Sequence, residues 1–368
     1  MPVSVNAKAT DLTKGGRLSS LDILRGLDLF LLVFLQPVLL SVLSHFDYSW
    51  AKSVLYQLDH EVWEGFRFWD LIMPLFLFMA GTSMPFAFSK YSGQGAKKKA
   101  YSHVFRRFFI LFFLGMVVQG NVLAFSWEAI NIYVNTLQAI AAGYLISAIL
   151  ILEFNTRGRL LMTVVLLLAY SIPMSVHGDF SPEGNLANII DAAILAGFRG
   201  DPSYTWILST LTFAVTVMLG VFAGQIIKEG RNNPSLVTKK LLLIGLALVC
   251  VAFVWSFETP IIKRIWTGSM TLLSGGYCFI LMGLFYYWID GKGHSRGLEW
   301  LKIYGMNAIT AYILGEIISF RSIVRSLTWG LEPHLGEEWY ATLVTFGNFL
   351  VLFFILKFMY RYRIFLKI

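Results

Sequence analysis

Ten mostly apolar stretches, each near the length of a bilayer crossing, alternate with short polar segments along the chain. They run over roughly 20–43, 67–89, 102–123, 131–153, 159–176, 205–228, 239–257, 267–289, 300–319 and 340–361. A helix needs about 20 such residues to cross the hydrocarbon core. The pattern therefore predicts an all-α polytopic bundle of about ten transmembrane spans. No internal repeat, low-complexity run or linker divides the sequence, so positions 1–368 read as a single domain.

The polar segments sort into two alternating sets. One gathers Lys8, Lys14 and Arg17, then Lys97, Lys98, Lys99 and Arg106, Arg157 and Arg159, Lys228, Lys239 and Lys240, and the tail with Arg361, Arg363 and Lys367. The other is acidic, with Asp47, Asp59, Glu61, Glu64, Glu128, Asp179, Glu183 and Asp201. Lys and Arg accumulate in cytoplasmic loops, so both termini are expected in the cytoplasm. Only 14% of the residues are charged and 57% are hydrophobic, the balance of a multi-pass membrane protein. The net charge of +8 is distributed over alternate loops and is not pooled on one surface, which argues against a nucleic-acid partner. Cys250 and Cys278 lie inside apolar runs and imply no disulfide framework. Residues 1–17 lack the apolar core of a secretory signal, so the first span is expected to be retained.

Three places depart from a plain bundle. The segment Asp59-His60-Glu61-Val62-Trp63-Glu64 leads to Asp70, which already abuts an apolar run. Ionisable groups at membrane depth are costly and by default mark function. A lone interfacial histidine is ordinarily structural, and Asp70 alone would suit the positive end of a helix dipole. Secondly, Asp22, Arg25 and Asp28 recur every third residue on one helix face, which suits either mutual pairing or an Arg25 contact with a phosphate from the cytoplasm. Arg106 and Arg107 open another span, where one arginine is placed to reach a nucleotide. Thirdly, Lys263 and Arg264 lie in an outer loop where orientation prefers no cations. A snorkelling pair beside the interfacial Trp266 fits them. So does a site for an anionic group, and that reading gains if the loop folds back towards His60.

The outer segment 177–204, rich in Gly and Pro, reads as a lid or vestibule wall, while Asn307 and Glu316 are polar groups within a span. No phosphate-binding GxxxxGK[ST] loop, HExxH or CxxC is present, and the six histidines show no metal-ligand spacing. An ATP motor and a metal centre are not expected.

Ser20-Leu21-Asp22-Ile23-Leu24-Arg25-Gly26, then His60-Glu61-Val62-Trp63-Glu64-Gly65 with Asp70 and Pro74, resemble the start of the heparan-α-glucosaminide N-acetyltransferase family. Leu137-Gln138, Asp201-Pro202, Lys263 through Thr267, Asp290, Gly305-Met306-Asn307 and the final Tyr360 through Ile368 extend the resemblance in order along nearly the whole chain. It implies a membrane acyltransferase core that takes an acetyl group from cytosolic acetyl-CoA to an amino sugar on the far side. The family's catalytic histidine falls on His60. The resemblance also suggests a compact relative in a bacterial inner membrane. Two positions depart from the family pattern: Leu35-Gln36 stands where a Val-Asn pair is usual, and Ala139 replaces the arginine after Leu137-Gln138.

From the residues and this resemblance together, His60 is expected to be the catalytic base or an acyl carrier, with Asp70 orienting its ring. Gln36, Arg25, Arg107, Gln138, Lys263, Trp266 and Asn307 are the candidates for binding acetyl-CoA. Trp63, Glu64 and Asp201 are the candidates for binding a sugar or glycoconjugate acceptor, which offers an amine or a hydroxyl. Membrane lipid surrounds the whole, and a homodimer is among the assemblies it allows. The alternative is an ion-coupled carrier of an acidic or sugar-like solute, using Asp22, Asp70 and Glu316.

Overall fold

A computed structural model describes residues 18–91 and 95–366, which leaves Lys8, Lys14, Arg17 and Lys367 outside the described residues. Among the described residues, nine helices are long and apolar enough to cross a membrane. They are α1 (Ser19–Leu43), α3 (Phe68–Phe88), α4 (Ala96–Val118), α5 (Thr136–Glu153), α6 (Thr156–His177), α8 (Thr210–Glu229), α9 (Pro234–Trp255), α10 (Gly268–Gly291) and α13 (Arg321–Arg361). Two shorter helices, α2 (Ser49–Gln57) and α7 (Leu186–Leu195), lie between spans. The protein is an all-α, multi-pass membrane bundle.

The expected span over 300–319 is not one helix. It divides into α11 (Leu301–Met306) and α12 (Ala308–Ile317), because Asn307 leaves helical geometry at φ −113°, ψ 31°. In α1, Pro37 has no N–H for the carbonyl four residues back and its ring crowds that carbonyl. The chain answers with a wide π-helical turn over Leu31–Leu35.

Small residues set the helix spacing, as expected where lipid tails are as apolar as the side chains. Gly81 of α3 and Gly220 of α8 face each other's backbone, at Val217 and Phe78 respectively. Gly26 of α1 and Gly305 of α11 do the same, at Leu301 and Asp22. The glycine after Arg25 is thus a point of backbone-to-backbone approach. At the start of α1, Asp290 accepts hydrogen bonds from Ser19 N–H (3.3 Å) and Ser20 N–H (3.0 Å), satisfying donors that no side chain of α1 caps. Arg25 and the residues just past α13, Phe365 and Leu366, line one cavity. The first and last helices therefore end on the same face of the bundle, the face that the charge pattern assigns to the cytoplasm.

Candidate active site

At the opposite end, the chain between α2 and α3 forms a tight loop. Arg67 donates to both oxygens of Glu61, at 2.9 Å each, and its guanidinium lies 3.8 Å from the centroid of the Tyr56 ring. This fork is a charge-assisted, two-point clamp. Asp70, at the head of α3, accepts with Oδ2 from the N–H groups of Arg67 (3.0 Å) and Glu61 (3.2 Å). Its other oxygen, Oδ1, lies 2.9 Å from His60 Nδ1. The carboxylate is fixed by the backbone of the loop whose histidine it holds.

The outer loop between α9 and α10 folds onto this one. Gly65 N–H donates to Ile261 O (2.8 Å), and Glu64 pairs with Ile262 in an isolated antiparallel bridge. Lys263 is thereby carried to His60, with Nζ 2.9 Å from Nδ1, 3.4 Å from Nε2 and 3.3 Å from Asp70 Oδ1. Its loop is held by Thr267, whose Oγ1 donates to Pro260 O (2.8 Å) and accepts from Ile262 N–H (3.1 Å). Thr205 N–H donates to Arg264 O (3.1 Å), and Ser209 Oγ donates to Ile265 O (3.1 Å).

Nδ1 lies against both a carboxylate, which can only accept, and an ammonium, which can only donate, so a proton on Nδ1 answers Asp70 and a lone pair there answers Lys263. Asp70 and Lys263 also answer each other at 3.3 Å. Loss of water pushes the His60 pKa below its ordinary value near 6.5, and Lys263 adds to that against the opposing hydrogen bond from Asp70. Burial pushes the Lys263 ammonium down to about 8, while Asp70 favours its charged form. At neutral pH the cluster is a neutral imidazole between an anion and a cation. The Asp70 side chain is 1% exposed and that of His60 37%, so the ring has an open side.

That side faces a cavity of about 300 Å³ whose walls include Trp69, Gln119, Asn135, Tyr204, Trp206 and Glu316. A second cavity, of about 350 Å³, opens beside Arg25 and Arg107 and is lined in between by Leu29, Leu111, Leu137 and Ile140. Phe76, Thr136 and Tyr312 belong to both walls, so the two adjoin. Arg107 lies 4.4 Å over the Tyr144 ring, and its buried Nε has no hydrogen-bond partner. A buried, unsatisfied guanidinium nitrogen at a cavity wall is an anion-binding feature.

A family model described as "Heparan-alpha-glucosaminide N-acetyltransferase, catalytic" matches residues 17–252. The chain belongs to this family. It is similar to the heparan-alpha-glucosaminide N-acetyltransferase of Homo sapiens, at 24% identity over 96% of this chain and 60% of the relative. It is also similar to the Mus musculus enzyme of that name, at 23% identity over 83% of this chain and 54% of the relative. The chain thus spans little more than half the length of the curated relatives it matches.

Five of the candidates lie at the two cavities. His60 and Lys263 line the outer cavity, with Asp70 directly behind the ring; Arg25 and Arg107 line the inner one. The others are placed elsewhere. Gln36 donates through Nε2 to Leu58 O (2.7 Å) and bears on the entry to the His60 loop. Gln138 bonds Val134 N–H and Ile132 O, fixing the chain just before α5. Asn307 is buried at the helix break beside Met306, which lines the inner cavity. Trp266 is buried in the core at φ +54°, its Nε1 donating to Thr216 Oγ1 (3.3 Å). Trp63 donates through Nε1 to Phe180 O (2.8 Å), tying the histidine loop to the 177–204 segment. Glu64 is exposed. Asp201 accepts from Ser203 N–H (2.9 Å) and Ser203 Oγ (2.7 Å), next to the cavity residue Tyr204. In turn, Tyr204, Trp206, Tyr312, Gln119 and Asn135 were not among the candidates. No local motif announces them, because four separate segments bring them together.

Proposed function

We propose that this protein is a transmembrane acetyltransferase that accepts acetyl-CoA at the cytoplasmic face and delivers the acetyl group to an amine or hydroxyl of an extracytoplasmic glycan or glycoconjugate. The observation that carries this reading is the pair of adjoining cavities running from Arg25 and Arg107 to His60. Acetyl-CoA fits the residues present. The two arginines suit its phosphates, the partner-free Arg107 Nε suits an anion, and the apolar walls between suit the pantetheine arm. When bound, it supplies an acetyl group activated as a thioester.

The side chains then have separate tasks. His60 Nε2 takes the proton from the attacking amine or hydroxyl as the new bond to the carbonyl carbon forms. Asp70 holds the Nδ1 proton and favours the transient imidazolium, the work a carboxylate does in a hydrolase triad. Lys263, beside the ring, donates to the oxygen on which negative charge develops. The carbon–sulfur bond breaks, and His60 returns its proton to the departing thiol. The same Nε2 lone pair also suits a two-step route through acetyl-His60.

Purified protein tested with acetyl-CoA and glucosamine checks this reading. A ligand at 100 times its dissociation constant adds about 2.7 kcal/mol of apparent stability. Acetyl-CoA is expected to stabilise both the wild type and His60→Ala, and acetylglucosamine to form only with the wild type. Absence of stabilisation, or product from His60→Ala, would overturn the proposal.

A further inference from the structure

Tyr312, on α12, lines both cavities and has no task in the chemistry above. Its ring packs in the core with Leu29, Leu111 and Leu137, which also line the inner cavity. Its hydroxyl faces Asn135, which lines the outer cavity with His60 and Lys263. A thioester moving from Arg25 and Arg107 towards His60 therefore passes this phenol. The hydroxyl stands where an apolar passage meets a polar chamber.

The bonds around Asn135 decide what that hydroxyl can offer. Asn135 is buried and caps the N-terminus of α5, its Oδ1 accepting from Leu137 N–H at 2.7 Å. The amide oxygen is thus occupied, and the NH₂ is the group turned to Tyr312, with Nδ2 3.5 Å from Oη. An amide N–H can only donate, so it takes a lone pair of the phenol and leaves the phenol proton uncommitted. Thr136, whose hydroxyl also neighbours Oη, can donate or accept, so it does not fix that proton either. A helix cap thus holds an O–H donor at the junction of the two cavities.

We propose that Tyr312 is a second donor to the thioester carbonyl, acting with Lys263 on the oxygen where negative charge develops, and that Asn135 is the positioning residue that aims its proton. The inference rests on the acetyltransferase reading and deepens it. As the attacking nitrogen or oxygen bonds to the carbonyl carbon, the C=O electron pair moves onto oxygen. The Tyr312 O–H and a Lys263 N–H hold that charge. The pair returns to re-form C=O as the carbon–sulfur bond breaks. Tyr312 keeps its own proton throughout, and the protons that move are carried by His60.

Turnover of acetyl-CoA with glucosamine by Tyr312→Phe, Asn135→Asp and the double variant tests this. Tyr312→Phe removes the hydroxyl and keeps the ring. Loss of one such donor costs about 10²- to 10³-fold in kcat, and that fall is expected with KM for acetyl-CoA near that of the wild type. Asn135→Asp keeps an acceptor for Leu137 N–H, and Asp caps a helix as well as Asn does. It also turns an acceptor to Oη, which captures the phenol proton, so kcat should fall towards that of Tyr312→Phe. The double variant should lose little more than Tyr312→Phe alone, whereas two unrelated defects would multiply. Thermal stabilisation by acetyl-CoA reports that each variant is folded and loaded. Near-normal kcat in Tyr312→Phe, a change confined to KM, or multiplied losses in the double variant would overturn the proposal. If acetyl-CoA fails to stabilise the wild type, the acetyltransferase reading falls, and this inference with it.

Discussion

Lys263 Nζ stands 3.3 Å from Asp70 Oδ1, with the His60 ring against both groups, although Lys263 and His60 are 203 positions apart. The ion pair does two things to the imidazole. In the proposed mechanism its anionic half holds a proton on Nδ1, and its cationic half opposes a second proton on the ring. Burial of the ring, joined by the Lys263 charge, favours the neutral form that the proposed base requires.

This arrangement predicts the pH dependence. The His60 pKa is lowered, so the neutral base is present above that value and lost below it. The acid limb of kcat/KM is expected to have its midpoint below 6.5. Lys263 loses its proton around pH 8, so a second, falling limb is expected near that pH. Burial is the larger cause of the lowered His60 pKa, and Lys263→Met removes the cation that adds to it. The acid limb should then move upward, the alkaline limb should vanish, and the maximal rate should fall about 10- to 1000-fold. A profile unchanged by Lys263→Met would contradict the assigned role.

Asp70→Asn tests the tautomer. The backbone N–H groups of Arg67 and Glu61 both point at Asp70 Oδ2, so an asparagine satisfies them only by placing its oxygen there. Its NH₂ then faces His60 Nδ1, and the ring proton is driven to Nε2. Loss of about 10²- to 10⁴-fold in kcat is expected, with acetyl-CoA binding retained. Near-normal turnover would show that the ring does not need this partner.

Gly26 tests the packing at the start of α1. A side chain there would run into the backbone of Leu301, so Gly26→Val must push α1 from α11. Destabilisation of about 1–3 kcal/mol is expected from overpacking, read as a lower melting temperature. Gly197→Ala, where an added carbon meets open space, serves as the control and should leave the melting temperature unchanged.

Arg107→Ala tests the inner end of the path. Loss of the guanidinium is expected to raise KM for acetyl-CoA about tenfold or more while affecting kcat less, because the proposed role of the group is to bind phosphate away from the reacting carbonyl. A fall confined to kcat would place Arg107 outside the donor site.

The spans were legible because hydrocarbon length leaves a direct mark on composition. Only the stretch over 300–319 differed in kind, since hydropathy does not register the change of backbone direction at Asn307. His60 and Asp70 were legible as costly groups beside an apolar run. The approach of Lys263 was conditional, because loop pairing such as Gly65 with Ile261 leaves no periodic signature. Gln36 and Trp63 show the converse. Each carries a donor that looks free in the sequence, yet each donates to a nearby backbone carbonyl. Tyr204, Tyr312 and Glu316 reach the cavity from elements far apart in the chain, so only the packed bundle brings them beside His60.

The central claim is that donor and acceptor meet at His60 from opposite sides of the membrane. Proteoliposomes of known orientation, given acetyl-CoA on the Arg25 and Arg107 side and glucosamine on the other, test it most directly. The account predicts acetylglucosamine only on the glucosamine side, and none when acetyl-CoA is confined to that side too. Equal product when both reactants share the His60 side would contradict it.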